Sequence, residues 1–155
     1  MTKPNPANPT LSISRPDLAS ALEQIGAEIE HQPLRSSALA RIMRETFHGS
    51  DAGGTWDWRM AYDLMQATAV QALLRGDNSE DDYYAAKLLA SRLLTETRRS
   101  EQQIRLQQFS TPLPFAALTV RAAAIRKGET VLEPSAGTGA PAAFAARAGA
   151  TLLLN

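Results

Sequence analysis

Apolar residues along the chain recur first at helical spacing and only near the end at strand spacing. Leu18, Leu22, Ile25 and Ile29 form one stripe at i, i+4, i+7 and i+11, which predicts a first helix. Pro16 and Asp17 suit its first turn, and Pro33 ends the segment. A second helix is expected from about Ser37, with Leu39, Ile42, Met43 and Phe47 on one face, stopping near Gly49. The turn-rich stretch "GSDAGGTWDW" leads into a third helix. There Trp58, Tyr62, Met65, Ala69 and Leu73 make one stripe, which Met60, Leu64 and Leu74 widen. A helix apolar around that much of its circumference is expected to be central. Arg75 and Gly76 close it. Ser79 is the expected cap of a fourth helix, with Asp82 three residues on and Glu80 and Asp81 at the positive helix end. Ala86, Leu89, Ala90 and Leu93 face inward along it, and its basic end extends to Arg98 and Arg99.

The pattern changes after Gln108. Thr111 and Pro112 suit the start of an alanine-rich helix running through Arg126 to Gly128. "TVLEP" is a short strand stopped by Pro134, "SAGTGA" is a turn, "AAFAARAGA" is helical to Gly149, and "TLLLN" is a second strand. Helix, strand, helix, strand is the entry unit of a doubly wound fold. The expected class is α+β and mostly helical. A disordered arm over residues 1–15, with three prolines and two asparagines in its first nine positions, precedes a helical domain over 16–108. An incomplete Rossmann-like βαβ unit over 109–155 follows. No internal repeat is evident.

Composition narrows the function classes. Sixteen basic residues balance sixteen acidic ones, so no global field draws the 155-residue chain to nucleic acid or membrane, although a local patch is compatible. There are no cysteines, and His31 and His48 are far apart, so no metal site is expected. No apolar run reaches membrane-span length, and "MTKPNPANPTLSIS" has no signal-peptide core. A cytoplasmic location is the expectation. Trp56, Trp58, Tyr62, Tyr83 and Tyr84 admit a base-stacking reading, but helical spacing favours the core. Arg92, Arg98, Arg99 and Arg105 admit a phosphate-contact reading, which Glu96 and Glu101 dilute toward a solvated face.

The chemistry concentrates at the first strand's end. Gly137 and Gly139 allow close approach of a ligand to the main chain at the carboxyl edge of the sheet. A bare G-x-G is weak evidence and is compatible with a simple tight turn. The position three after Gly139 is Ala142, and no phosphate-binding lysine follows the loop, so neither nucleotide fingerprint is met in full. Glu133 at the strand end suits a ligand bearing an ammonium group and would repel a pyrophosphate. A nicotinamide-binding reading is demoted on both grounds.

"LEPSAGTG", residues 132–139, resembles the first cofactor motif of class I S-adenosylmethionine-dependent methyltransferases, in the form used by DNA adenine N6 enzymes. "QQFSTP", residues 107–112, is similar to the upstream segment that in those enzymes folds over the methionine end of the cofactor. Longer stretches, including "GGTWDWRMAYDLMQA", resemble the N-terminal region of bacterial strawberry notch-type proteins. These couple a methyltransferase-like domain to a helicase-like NTPase and are typical of plasmids and phages. The resemblance implies that Gln108, Phe109, Thr111 and Pro112 line the methionine side. Glu133, Gly137 and Gly139 would form the cofactor loop, shaped by Ser135 and Thr138. It also implies a ribose-binding acid just beyond Asn155 and a distant Asn/Asp-Pro-Pro-aromatic motif for the target amine, neither of which is among these residues. "NPANP" in the arm does not replace that motif.

Two readings follow. One is a truncated methyltransferase-like protein, without catalysis by itself, that binds S-adenosylmethionine weakly or vestigially and has DNA as its target. The other is a mobile-element interaction protein, such as an anti-CRISPR or anti-restriction inhibitor, that reuses the methyltransferase head as a binding module. Leu152, Leu153 and Leu154, on an open strand, lead to the expectation of a protein partner or a homodimer through the C-terminal unit.

Overall fold

The computed structural model describes residues 15–76, 81–98, 101–105 and 109–155. Gln108, Ser79 and the expected arm lie outside them, except Arg15, which opens the first helix. The protein is mostly helical and carries a small parallel sheet. In chain order its elements are α1 (Arg15–His31), α2 (Ser36–Thr46), α3 (Trp58–Arg75), α4 (Asp82–Ala90), α5 (Glu101–Arg105), α6 (Leu113–Ala122), β1 (Thr130–Glu133), α7 (Ala140–Arg147) and β2 (Thr151–Leu154).

The first three helices follow their apolar stripes. Ala21, Ile25 and Ile29 of α1 are buried, with Leu18 and Leu22 packed at the margin. They meet Leu39, Ile42 and Met43 of α2. Asp57 caps α3 by accepting a hydrogen bond from the Met60 amide at 2.7 Å, relieving one of the unpaired donors of the first turn. Along α3 the buried positions run from Ala61 to Leu73. Its first half, with Ala61, Tyr62, Leu64 and Met65, belongs to a core shared with α1 and α2. Its second half, with Ala69, Val70 and Leu73, belongs to another core shared with α4, α6 and α7. The central role expected for α3 thus has a concrete form: one helix serves two cores.

The fourth helix is shorter than its sequence pattern implies. Its cap is Asp81, which accepts from the Tyr83 amide at 2.9 Å, and it ends at Ala90 rather than near Arg99. Tertiary hydrogen bonds redirect the chain beyond it. The Leu34 amide donates to the Arg92 carbonyl at 2.8 Å, and Arg92 Nη1 donates to the carbonyls of Ile29 and Glu30 at the end of α1. Continuing the helix would forfeit bonds that satisfy otherwise unpaired α1 carbonyls. The alanine-rich helix is also shorter at both ends. Pro112 occupies its cap in place of Thr111, with Pro114 in the first turn where an N–H is dispensable. It stops at Ala122, because Ala124 adopts a left-handed φ of 51°. A turn in which Glu129 accepts from the Arg126 amide then delivers the chain to β1.

β1 and β2 are parallel, with Val131 opposite Leu152 and Leu132 opposite Leu153. Val131 and Leu152 are half-buried, while Leu132 and Leu153 are exposed. α7 connects the strands and packs on α6, on α3 and on both strands. Phe144, fully buried, is the largest side chain of the second core. That core therefore draws residues from both sides of position 108, where composition changes along the sequence.

Candidate functional site

The glycine loop leaves the carboxyl end of β1 and turns into α7. Gly137 and Gly139 have φ of 52° and 89°, left-handed values that cost a residue with a Cβ roughly 1–2 kcal/mol. A Cβ at Gly137 would meet only the Ser135 carbonyl, at 3.9 Å, so conformation and not crowding requires that glycine. At Gly139 a Cβ would stand 3.9 Å from Val70 Cγ1, which places the loop directly on α3. The turn is tied by the Gly139 amide donating to the Ala136 carbonyl at 2.7 Å and by the Ala143 amide reaching the Gly139 carbonyl. Ala136 donates to the carbonyl of Asn155, and the Asn155 amide donates to the carbonyl of Glu133, so the end of β2 borders the loop. The amides of Gly137 and Thr138 donate to no acceptor among the described residues.

Glu133 is half-buried at the strand end, and its Oε1 accepts from the Ser135 amide at 3.2 Å. Its Oε1 thus organises the turn, and its Oε2 has no partner among the described residues. Main-chain donors and a carboxylate oxygen without partners among the described residues could hold a small ligand that carries both an anionic and a cationic group. Phe109, Thr111 and Pro112 are exposed at the entrance to α6. Their neighbour Leu113 and the loop's neighbour Ala140 belong to one buried cluster, so the two motifs are anchored on common ground. Ser135 and Thr138 make no side-chain hydrogen bond among the described residues.

One contributor was not visible from the sequence. Arg147, at the last turn of α7, is only 5% exposed; its Nε donates to Asp82 at 2.8 Å and its Nη1 to the Leu73 and Gly76 carbonyls at 2.6 and 3.2 Å. It closes the C-terminal end of α3 and fixes the helix that begins at the glycine loop. A basic residue in a last turn reads as a dipole complement; its true partners lie 65 to 74 positions away.

Open grooves lie between helices of the helical part. One of about 320 Å³ lies between α1 and α2 beside Gln24, Glu28, His31 and Arg41. Another, of about 880 Å³, lies between α1 and α3 beside Glu23, Gly26, Thr68 and Arg75. Neither includes the glycine loop. The aromatic residues divide. Trp56 and Tyr62 are buried, and Trp56 Nε1 donates to the Gly49 carbonyl. Trp58 is capped by Arg98 at 4.2 Å from its ring centroid and donates to Asp51. Those rings serve the fold and do not form an open stacking platform. Arg92 is likewise committed to the carbonyls of α1. Among the described residues no His, Asp and Glu cluster has metal-site geometry, and no helix is long and apolar enough to cross a membrane.

No family model matches the chain, and no match was found among curated proteins or solved structures.

Proposed function

We propose that the chain is a methyltransferase-like protein whose β1–α7 unit is the Rossmann-like cofactor half of a class I S-adenosylmethionine site. The observation that carries this reading is the loop itself. It has two left-handed glycines and, among the described residues, two main-chain donors without acceptors and a strand-end acid with one oxygen unpartnered. Gly137, Thr138 and Gly139 would receive the ligand's carboxylate and main body, Glu133 its ammonium, and the Phe109 to Pro112 segment its methionine side. When bound, the cofactor supplies an electrophilic methyl group, and adenine in DNA is the target class that the resemblance implies.

The residues present perform binding and orientation, not the whole reaction. A charge-assisted hydrogen bond to an acid holding the ribose hydroxyls is worth about 1.5–3 kcal/mol, roughly tenfold to hundredfold in affinity, and no residue described at the loop supplies it. Methyl transfer further requires a flipped base held in line with the methyl donor, and none of the residues at the loop forms that pocket. The test is calorimetric titration with S-adenosylmethionine, alongside labelled methyl transfer to adenine-containing DNA, with Gly137→Asp as the loop-blocked control. Weak binding abolished by Gly137→Asp, without transfer, is the expected result. Equal behaviour of the two proteins would remove the cofactor reading.

A second reading, an interaction module that reuses this scaffold, is favoured by the large apolar side chains left at the surface. They include Leu132, Leu153 and Leu154 on the sheet and Tyr84, Leu88, Phe115 and Leu118 on the helices.

A further inference from the structure

α4 and α6 lie side by side over the second core, and Arg121 Nη1 stands 3.6 Å from Asp81 Oδ2. That contact joins the start of α4 to the last turn of α6, so the two helices are antiparallel. Ala86 and Leu89 of α4, and Leu113, Ala116 and Ala117 of α6, point into the core. Tyr84 and Leu88 are displaced by about 160° around α4 from Ala86, and Phe115 lies on the equivalent outer side of α6. With Asp81 level with Arg121, Tyr84 is level with Leu118, and Leu88 is within one residue of Phe115. All four are exposed: Tyr84 68%, Leu88 59%, Phe115 64% and Leu118 42%. Two adjacent helices therefore present one apolar face.

We propose that this α4–α6 face is a homodimer interface, on which a second copy of the chain seats its own α4–α6 pair to form a four-helix layer. Area supports it. With aromatic side chains of about 150–250 Å², the four exposed portions amount to roughly 450 Å² per copy. Flanking Lys87, Ser91, Thr119 and Ala122 bring the face toward the ~800 Å² per partner of a stable interface. Charge supports a copy over nucleic acid. Among the described residues of α4 and α6 the exposed basic groups are Lys87 and Arg121, and Arg121 is already paired with Asp81. Charge also suits a two-fold axis. Asp81 and Lys87 lie three residues to either side of Tyr84, so an antiparallel α4–α4 crossing centred on Tyr84 sets Asp81 of one copy level with Lys87 of the other. Each end then places Lys87 of one copy beside a carboxylate that also holds its own Arg121, with tyrosine at the centre. This surface is distinct from the strand edge and does not depend on the glycine loop binding any ligand.

The test is sedimentation equilibrium of the 155-residue chain from low to high micromolar concentration. Wild type is expected to show a reversible monomer–dimer equilibrium. Leu88→Lys and Phe115→Lys should each weaken it at least a hundredfold, because each change enters the interface twice. Leu153→Glu should leave it within threefold. Both lysine variants replace exposed residues, so circular dichroism is expected to match wild type and to separate misfolding from dissociation. The chain has no cysteine, so Tyr84→Cys should oxidise to a single disulfide-linked dimer, whereas Arg44→Cys on α2 should not. A monomer at every concentration would overturn the proposal. So would a dimer that survives Leu88→Lys and Phe115→Lys, or one abolished by Leu153→Glu alone.

Discussion

The two cores of this protein are built on different terms. The first is filled by large side chains (Ile25, Leu39, Ile42, Met43, Trp56 and Met65), all from one continuous stretch of sequence. The second is mostly alanine. Ala69, Ala86, Ala116, Ala117, Ala140 and Ala143 come from α3, α4, α6 and α7, and Phe144 fills the space they leave. Small residues let helix backbones approach closely, but each buries little apolar area. Stability of the second core therefore rests on a few large groups and on long-range contacts, whereas the first spreads the same duty over many local ones. The glycine loop sits on the second core, through Val70 and Ala140. Whatever the loop binds is thus held by the part of the molecule with the fewest large side chains.

The strongest way to break this contrast is Phe144→Ala. Removing a buried phenylalanine costs about 3–5 kcal/mol, and flanking alanines cannot close the cavity. Leu39→Ala in the first core is expected near the lower end of its own range of about 2–5 kcal/mol, because longer neighbours can shift inward. Urea unfolding of both variants checks this; a smaller loss for Phe144→Ala than for Leu39→Ala would show the alanine core to be the more adaptable. Hydrogen exchange on Phe144→Ala adds location. Protection should fall in the second half of α3 and in α6 and α7, while α1 and α2 stay protected.

A middle-sized effect is expected at the clasp between the regions. Arg147→Met keeps most of the aliphatic stem but drops the pair with Asp82 and both bonds to the end of α3. Asp82 is 40% exposed and can rehydrate, so the loss should be about 1–3 kcal/mol, below that of a sealed ion pair. Asp82→Asn should cost less, since Arg147 would retain the two carbonyls. The two thermal midpoints, compared side by side, measure that order. The reverse order would mean that the ion pair, not the carbonyl closure, holds α7.

The smallest effect is expected at Asp63, on the outer side of α3's first half. Partial burial raises its carboxyl above the ordinary value of 3.8; Arg59 at 3.9 Å opposes this, and Glu96 and Asp57 add to it. A folded pKa above the unfolded one favours the native state at low pH, and this contribution is lost as pH rises through the folded value. Asp63→Asn should therefore leave stability at pH 7 unchanged or slightly raised and flatten its dependence on pH from the ordinary carboxylate value of 3.8 upward. Destabilisation at pH 7 would instead assign the pair with Arg59 a net favourable role. Half of the Asp63 side chain is exposed, which keeps either effect small.

Sequence alone determined the elements whose information is local. The stripe from Leu18 to Ile29 specifies α1, the stop at Gly76 bounds α3, and "TVLEPSAGTG" specifies a strand entering a glycine turn. Periodicity and turn chemistry act over a few residues, so they can be read along the chain. The positions of Glu133, Gly137 and Gly139 at the strand's carboxyl end were legible for the same reason. Tertiary structure decided where helices stop and what they join. α4 ends early because Arg92 is drawn to carbonyls some 60 residues away, and α6 ends where Ala124 turns left-handed. Arg147 looks like an ordinary helix-end arginine until α3 and α4 are set beside it. The second core was hidden because alanine carries almost no periodic signal. Its depth comes from four helices meeting, and that meeting is a property of the whole chain.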